Sequence, residues 1–426
     1  MRERLHAASV RLLRATERYT KTDMVYLANA GFWTNLNVGT TSLLAFALSI
    51  AFANLVPRDA YGLYQYLLSL AAIVTALTLT GMNTAVAQSV ARGYEGDLAA
   101  ALRVQLRWNS VPSALGLLGA LYYFAAGNAP VAAGLALIAV LAPLTSAFNT
   151  YSAFLAGKRD FRRAFLYAFA LNLVYYPAML ATMLAAPYAV ALVGVNLATN
   201  AAAAWWLYRR TSRVYAPSSE VDPETVRYGA HLSVMSAFGT IITQLDSVLV
   251  FHFLGAAPLA VYTFATMIPE RLAGLLGFIG GAAFPKYANR SIGELKGSIL
   301  AQTGRAAAAG AALAAAYALA APLLFRIAFP RYLDAVGYTQ VYALVVVLMT
   351  ANLASVALQA KRRRTELYIT SFLNPVLLLA LQIPLLLAYG IMGMIVARLI
   401  SDALGIALGL ALLYRTDEEP APATIS

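Results

Sequence analysis

Five ionisable side chains lie inside stretches that are otherwise apolar: Asp246, Glu270, Arg271, Arg398 and Asp402. A charge at mid-bilayer costs about 2.5 to 3.5 kcal/mol on insertion scales, so each requires a counter-ion or a wet cavity. Arg271 is the leading candidate for an anion contact, because a guanidinium keeps its charge in a low-dielectric site and offers a planar fork to phosphate oxygens. Arg398 is the second candidate. Asp246, Glu270 and Asp402 suit another task, since an intramembrane carboxylate can exchange H⁺ or Na⁺ as its access to water alternates. Structural roles compete with these. Arg398 and Asp402 stand four residues apart on one helix face and can neutralise each other, and Asp246 or Glu270 can serve as a fixed counter-ion to Arg271. Glu270 and Arg271 are adjacent, point roughly 100° apart, and so do not pair with each other. Pro269 precedes them and frees a backbone carbonyl where both charges fall. Nothing points to catalysis or to a metal: the chain has no cysteine and its three histidines, His6, His231 and His252, are scattered. There is no nucleotide-phosphate loop, acidic metal motif or nucleophilic triad. The expectation is a non-enzyme with no catalytic residues, no metal and no cofactor.

The elements that position these residues are membrane helices. Apolar residues make up 61% of the 426 and charged residues 12%, and mean hydropathy is +0.67, which excludes a water-soluble chain. At about 20 apolar residues per span, twelve helices fall near 32–56, 63–87, 108–126, 131–156, 164–185, 188–208, 231–254, 259–284, 306–328, 337–360, 367–388 and 391–413, an all-α polytopic fold. Lys and Arg gather at every second loop, in residues 1–23, 88–107, 157–163, 209–230, 285–305 and 361–366, while Arg58, Arg326 and Arg331 mark the opposite ends. Basic loops stay cytoplasmic, which places both termini on the inner side of the cytoplasmic membrane. The net charge of +12 then reports topology and contact with anionic membrane lipids, not nucleic acid. In residues 1–31, Leu5, Leu12 and Tyr19 and separately Arg4, Arg11 and Arg18 recur every seven residues. That spacing suits either a helix lying in the inner-leaflet interface or a tail that only enforces orientation; a cleaved signal peptide is not expected. Trp33, Trp108, Trp205 and Trp206 fall at cytoplasmic span ends as anchors. Pro112, Pro143, Pro177, Pro269, Pro322, Pro375 and Pro384 are bending points.

The chain repeats itself about its midpoint. Leu55-Val56-Pro57 leading to Gly62-Leu63-Tyr64 matches Leu254-Gly255 and Pro258 leading to Val261-Tyr262, Gly81 corresponds to Gly280, and Arg107 to Arg305. The expected organisation is a basic segment 1–31, a six-helix lobe 32–208, a cytoplasmic linker 209–230, a second six-helix lobe 231–414 and a cytoplasmic tail 415–426. Six is an even number, so the lobes share orientation and are related by a pseudo-twofold axis along the membrane normal.

The same turns carry a family resemblance: Leu55-Val56-Pro57-Arg58-Asp59-Ala60-Tyr61-Gly62-Leu63-Tyr64, Gly81-Met82-Asn83-Thr84-Ala85, Gln244-Leu245-Asp246-Ser247, Leu254-Gly255, Tyr262 and Tyr389-Gly390-Ile391-Met392-Gly393. Over most of its length the chain resembles the polysaccharide flippases, the Wzx-type branch of the multidrug/oligosaccharidyl-lipid/polysaccharide exporter (MOP) superfamily. The resemblance implies a V-shaped pair of lobes that moves a polyprenyl-diphosphate-linked oligosaccharide to the outer leaflet by alternating access, for cell-surface polysaccharide. A polysaccharide polymerase or glycosyltransferases are the implied partners. Twelve spans suit this branch, whereas the related lipid II flippases resemble the same plan with two additional helices. A sugar chain on a lipid diphosphate needs a polar route through hydrocarbon. Gln65, Asn83 and Asn149 are the candidates for its hydroxyls, while Asn35, Asn37, Asn172, Asn196, Asn352 and Gln359 read as bridges between packed helices.

Two other classes remain. A cation-coupled multidrug or small-molecule antiporter of the same superfamily would favour an acidic or aromatic pocket, against which Arg271 and Arg398 weigh. A membrane glycosyltransferase or sugar polymerase would place its chemistry in an external loop, and no such loop here exceeds about ten residues.

Overall fold

Every regular element of the computed structural model is helical; it describes residues 24–276, 278–361 and 363–415, among which there is no strand. Of the expected basic segment 1–31, residues 1–23 lie outside the described residues and 24–31 open α1; of the expected tail 415–426, residues 416–426 lie outside them. In chain order the α-helices are α1 (Met24–Leu55), α2 (Arg58–Ala76), α3 (Met82–Ala91), α4 (Asp97–Trp108), α5 (Ser110–Ala125), α6 (Ala129–Phe148), α7 (Thr150–Gly157), α8 (Phe161–Ala185) and α9 (Ala189–Tyr215). There follow α10 (Thr225–Leu254), α11 (Ala256–Leu276), α12 (Phe278–Ala288), α13 (Ile292–Ala328), α14 (Val336–Tyr342), α15 (Leu344–Ala351), α16 (Leu353–Ala360) and α17 (Arg364–Arg415), with a 3₁₀ turn at Pro330–Ala335.

This is a multi-pass membrane protein. Among the described residues, eight helices are long and apolar enough to cross a bilayer by length and composition alone. Further expected spans coincide with the shorter helices α2, α5 and α11, and the expected pair 367–388 and 391–413 is the single element α17, reversed at Gly390 (φ +57°, ψ −136°). Large apolar side chains point outward, with Leu319 84% and Val234 74% exposed, as expected where hydrocarbon is the solvent and backbone polar groups are satisfied within each helix.

The chain forms two compact units. One comprises the described residues up to Val56 with Leu67–Gln244, the other Pro57–Tyr66 with the residues from Leu245 onward. In the first unit α5 packs on α6, α6 on α9, α1 on α8 and α3 on α7. Small residues permit close approach: a Cβ at Gly116 would stand 2.7 Å from that of Ala139, and one at Gly229 would stand 2.8 Å from Met82 Sδ. The segment expected as a linker is helical at both ends and is tied down between them. Asp97, fully buried, accepts from Thr225 Oγ1 at 2.8 Å, Gly96 N donates to the Glu220 carbonyl at 2.9 Å, and Arg92 pairs with Asp222.

The second unit contains an aliphatic core about Leu295, Ile299, Leu353 and Leu358 and, apart from it, a group of packed aromatic rings. Phe264 of α11 lies 4.2 Å from Tyr332 and 5.2 Å from Phe329, centroid to centroid, and Tyr61 stacks on it at 4.9 Å. Arg58 crosses to Asp334 at 2.8 Å and lies over the Tyr332 ring at 5.0 Å. Gly62 faces the Ala256 backbone so closely that a Cβ would overlap its carbonyl, which explains the glycine at this turn. Helix breaks recur at related places in the two units. The expected span 63–87 is interrupted between α2 and α3, Asn149 separates α6 from α7 and Asn352 separates α15 from α16.

Candidate functional site

Three helices of the second unit deliver one cluster of charge. Near its C-terminal end α10 presents Asp246, α11 presents Glu270 beyond Pro269, and α17 supplies Gln382 from its arm before Gly390 and Arg398 from the arm after it. Arg398 Nη1 lies 3.2 Å from Asp246 Oδ2 and 3.0 Å from Glu270 Oε1. Asp246 is 4% exposed and accepts two further bonds, from Gln382 Nε2 at 2.6 Å and Tyr262 O–H at 3.1 Å. Glu270 accepts from Tyr342 O–H at 3.1 Å, and the Tyr342 ring lies 5.7 Å beneath the guanidinium. One guanidinium thus faces two carboxyl groups.

The two carboxylates are not equivalent. Asp246 is buried and both its oxygens accept hydrogen bonds. The Glu270 side chain is 43% exposed, so it can reach solvent or a ligand. Asp402, one turn beyond Arg398, is half-buried and forms no ion pair with a described residue within 4.0 Å. Arg398 reaches across to other helices instead of pairing with this neighbour.

The remaining candidates divide. Arg271 is exposed and lies within electrostatic reach of Tyr61, whose O–H accepts from Gln65 Nε2 at 2.7 Å. Gln65 and Arg271 both belong to the second unit. Asn83 and Asn149 belong to the first. Asn83 is half-buried, with an Oδ1 that has no hydrogen-bond partner; Asn149 is exposed at the break between α6 and α7. Sequence reasoning passed over three members of the cluster, Tyr262, Tyr342 and Gln382. The available signal was polarity within apolar runs, strongest at Gln382, between Pro375 and Pro384.

The model of a family described as "Polysaccharide biosynthesis protein" matches residues 27–289. No curated protein matches the sequence. Among solved structures, the chain is similar to an inward-facing multidrug resistance MATE transporter of the MOP superfamily, with TM-score 0.66 and 14% identity over 88% of this chain and 96% of that one. The outward-facing conformation of a MATE family transporter gives TM-score 0.59 and 15% identity over 92% and 97%. The lipid II flippase MurJ, inward closed, gives 0.63 and 13% over 89% and 87%. At such identities the likeness is one of fold.

Proposed function

The chain belongs to the polysaccharide biosynthesis protein family, and from that premise we propose that it is a flippase for a polyprenyl-diphosphate-linked oligosaccharide in the cytoplasmic membrane, with both termini cytoplasmic. The observation that carries the reading is the single Arg398 guanidinium held between Asp246 and Glu270. A lipid diphosphate brings oxygens of the same kind as a carboxylate, with more charge, and competes for the same N–H donors. Arg271, exposed and adjacent to Glu270, receives the anion first; Arg398 then turns toward it. Glu270, losing its cation, takes up H⁺ or Na⁺, while Asp246 keeps its bonds from Tyr262 and Gln382. Substrate binding and cation binding are thereby coupled through one side chain, and Asp402, a turn away, is the reserve carboxylate. Gln65, Asn83 and Asn149 serve the sugar hydroxyls. Alternating access is supported by the inward- and outward-facing states named for proteins of this fold, and a lipid-linked substrate by the fold's occurrence in a lipid II flippase. A polymerase or glycosyltransferases stand as partners.

The test is Arg271→Gln. The lipid-linked precursor should accumulate on the cytoplasmic side at unchanged membrane abundance of the protein; unaltered export removes Arg271 from the site. A second reading, a cation-coupled multidrug antiporter, is favoured by the pair of carboxyl groups at one guanidinium. Efflux of an organic cation that survives Arg271→Gln and is lost in Glu270→Gln would establish it.

A further inference from the structure

The last turns of α9 carry a feature that translocation as proposed does not use. Two cavities adjoin along one face of this helix. The first, about 550 Å³, lies between α8 and α9 against Ala170, Leu171, Val174, Ala198, Ala202 and Trp206. The second, about 390 Å³, is bordered by Trp205, Trp206, Arg209, Arg210 and Arg213. Trp206 belongs to both. Ala198, Ala202, Trp206, Arg210 and Arg213 follow at intervals of three or four, so they form one stripe that passes from apolar to cationic at the indole. At about 1.5 Å per residue the stripe runs roughly 22 Å, close to the depth of one leaflet with its headgroups.

Among the described residues the basic end has no acidic partner. No described carboxylate pairs with Arg209, Arg210 or Arg213, the three cations that border the second cavity. Arg209 and Arg210 instead rest over the rings of Trp205 and Trp206, at 4.2 and 5.3 Å. An indole face holds a guanidinium in place while leaving its N–H edge free for an anion. Orientation in the membrane needs only the number of positive charges; it explains neither the apolar trough nor the ring at its mouth.

We propose that this stripe binds an anionic phospholipid, one acyl chain lying in the α8–α9 trough and the phosphate among Arg209, Arg210 and Arg213. The headgroup supplies the counter-charge and the chain fills the trough. Trp33→Phe with Trp108→Phe leaves Trp205 and Trp206 as the only indole emitters, which makes the site directly readable in the purified full-length protein. Phosphatidylglycerol with brominated acyl chains should quench this emission saturably and in preference to brominated phosphatidylcholine. Arg209→Gln, Arg210→Gln and Arg213→Gln should each reduce the preference about fivefold. The triple Lys variant should retain most of it, and Ala202→Phe should weaken quenching by both lipids. Equal quenching by the two lipids, or a preference that survives the triple Gln variant while the triple Lys variant is folded, overturns the proposal. Inorganic phosphate that displaces phosphatidylglycerol without any chain-dependent quenching marks a free-anion site, and also overturns it.

Discussion

Asp246 and Glu270 lie at nearly equal distances from Arg398, 3.2 and 3.0 Å, yet their side chains are 6% and 43% exposed. The two contacts should therefore differ in energy. An ion pair reached by solvent is worth about 0 to 1 kcal/mol, whereas a charge-assisted bond to a buried carboxylate is worth about 1.5 to 3 kcal/mol. Arg398→Gln should cost the most of any single change, about 3 to 5 kcal/mol, because it leaves Asp246 buried without its cation and close to a second carboxylate. Two double-mutant cycles isolate the pairs. Adding Asp246→Asn to Arg398→Gln should recover about 1.5 to 3 kcal/mol, while adding Glu270→Gln should recover no more than about 1 kcal/mol. The assay is unfolding of the purified protein in one detergent, followed by tryptophan emission. Equal recovery in the two cycles, or a larger one for Glu270, refutes the division into a fixed and an exchangeable carboxylate, and with it the order of events proposed for coupling.

Gly62→Ala sets a Cβ against the Ala256 carbonyl and should destabilise by about 1 to 3 kcal/mol, read as reduced yield and earlier unfolding; a neutral result means that α2 and α11 are not closely apposed. Thr225→Val removes a donor from the fully buried Asp97 and should cost about 1 to 3 kcal/mol, with faster proteolysis within 216–224 as the local sign. Arg58→Gln breaks a contact whose side chains are 39% and 49% exposed, so the loss should stay within about 1 kcal/mol; a larger effect would mean that the stacking of Arg58 on Tyr332 is the real bond.

Helix existence and the sites of reversal were legible because they rest on local chemistry. Pro57 and Gly255 end their helices where the turns were read, and Gly390 bends α17 as expected. The interruptions at Asn149 and Asn352 were not legible, since asparagine within a span is equally at home bridging two helices. Partner choice was the larger omission. On one helix the spacing of Arg398 and Asp402 suggests mutual neutralisation, but a long, flexible side chain is free to reach other helices, and the positions of Asp246 and Glu270 relative to it are set by packing that no single segment encodes. Asp97 gave no signal for the same reason: it lies in a basic loop region, and its donors, Thr225 Oγ1 and Asp222 N, come from far along the chain.

The reversal at Gly390 has a geometric corollary. Gln382 stands eight residues before it and Arg398 eight after, so equal arms of about 12 Å bring both side chains to the same level, where they converge on Asp246. The hairpin works as a gauge whose two jaws are cut to one length. Inserting a single residue in either arm swings one jaw by roughly 100° and parts the pair, without altering any residue that touches the carboxylate. Point substitutions in this hairpin should thus be tolerated far better than changes in its length, and the count of residues around Gly390 is itself part of the site.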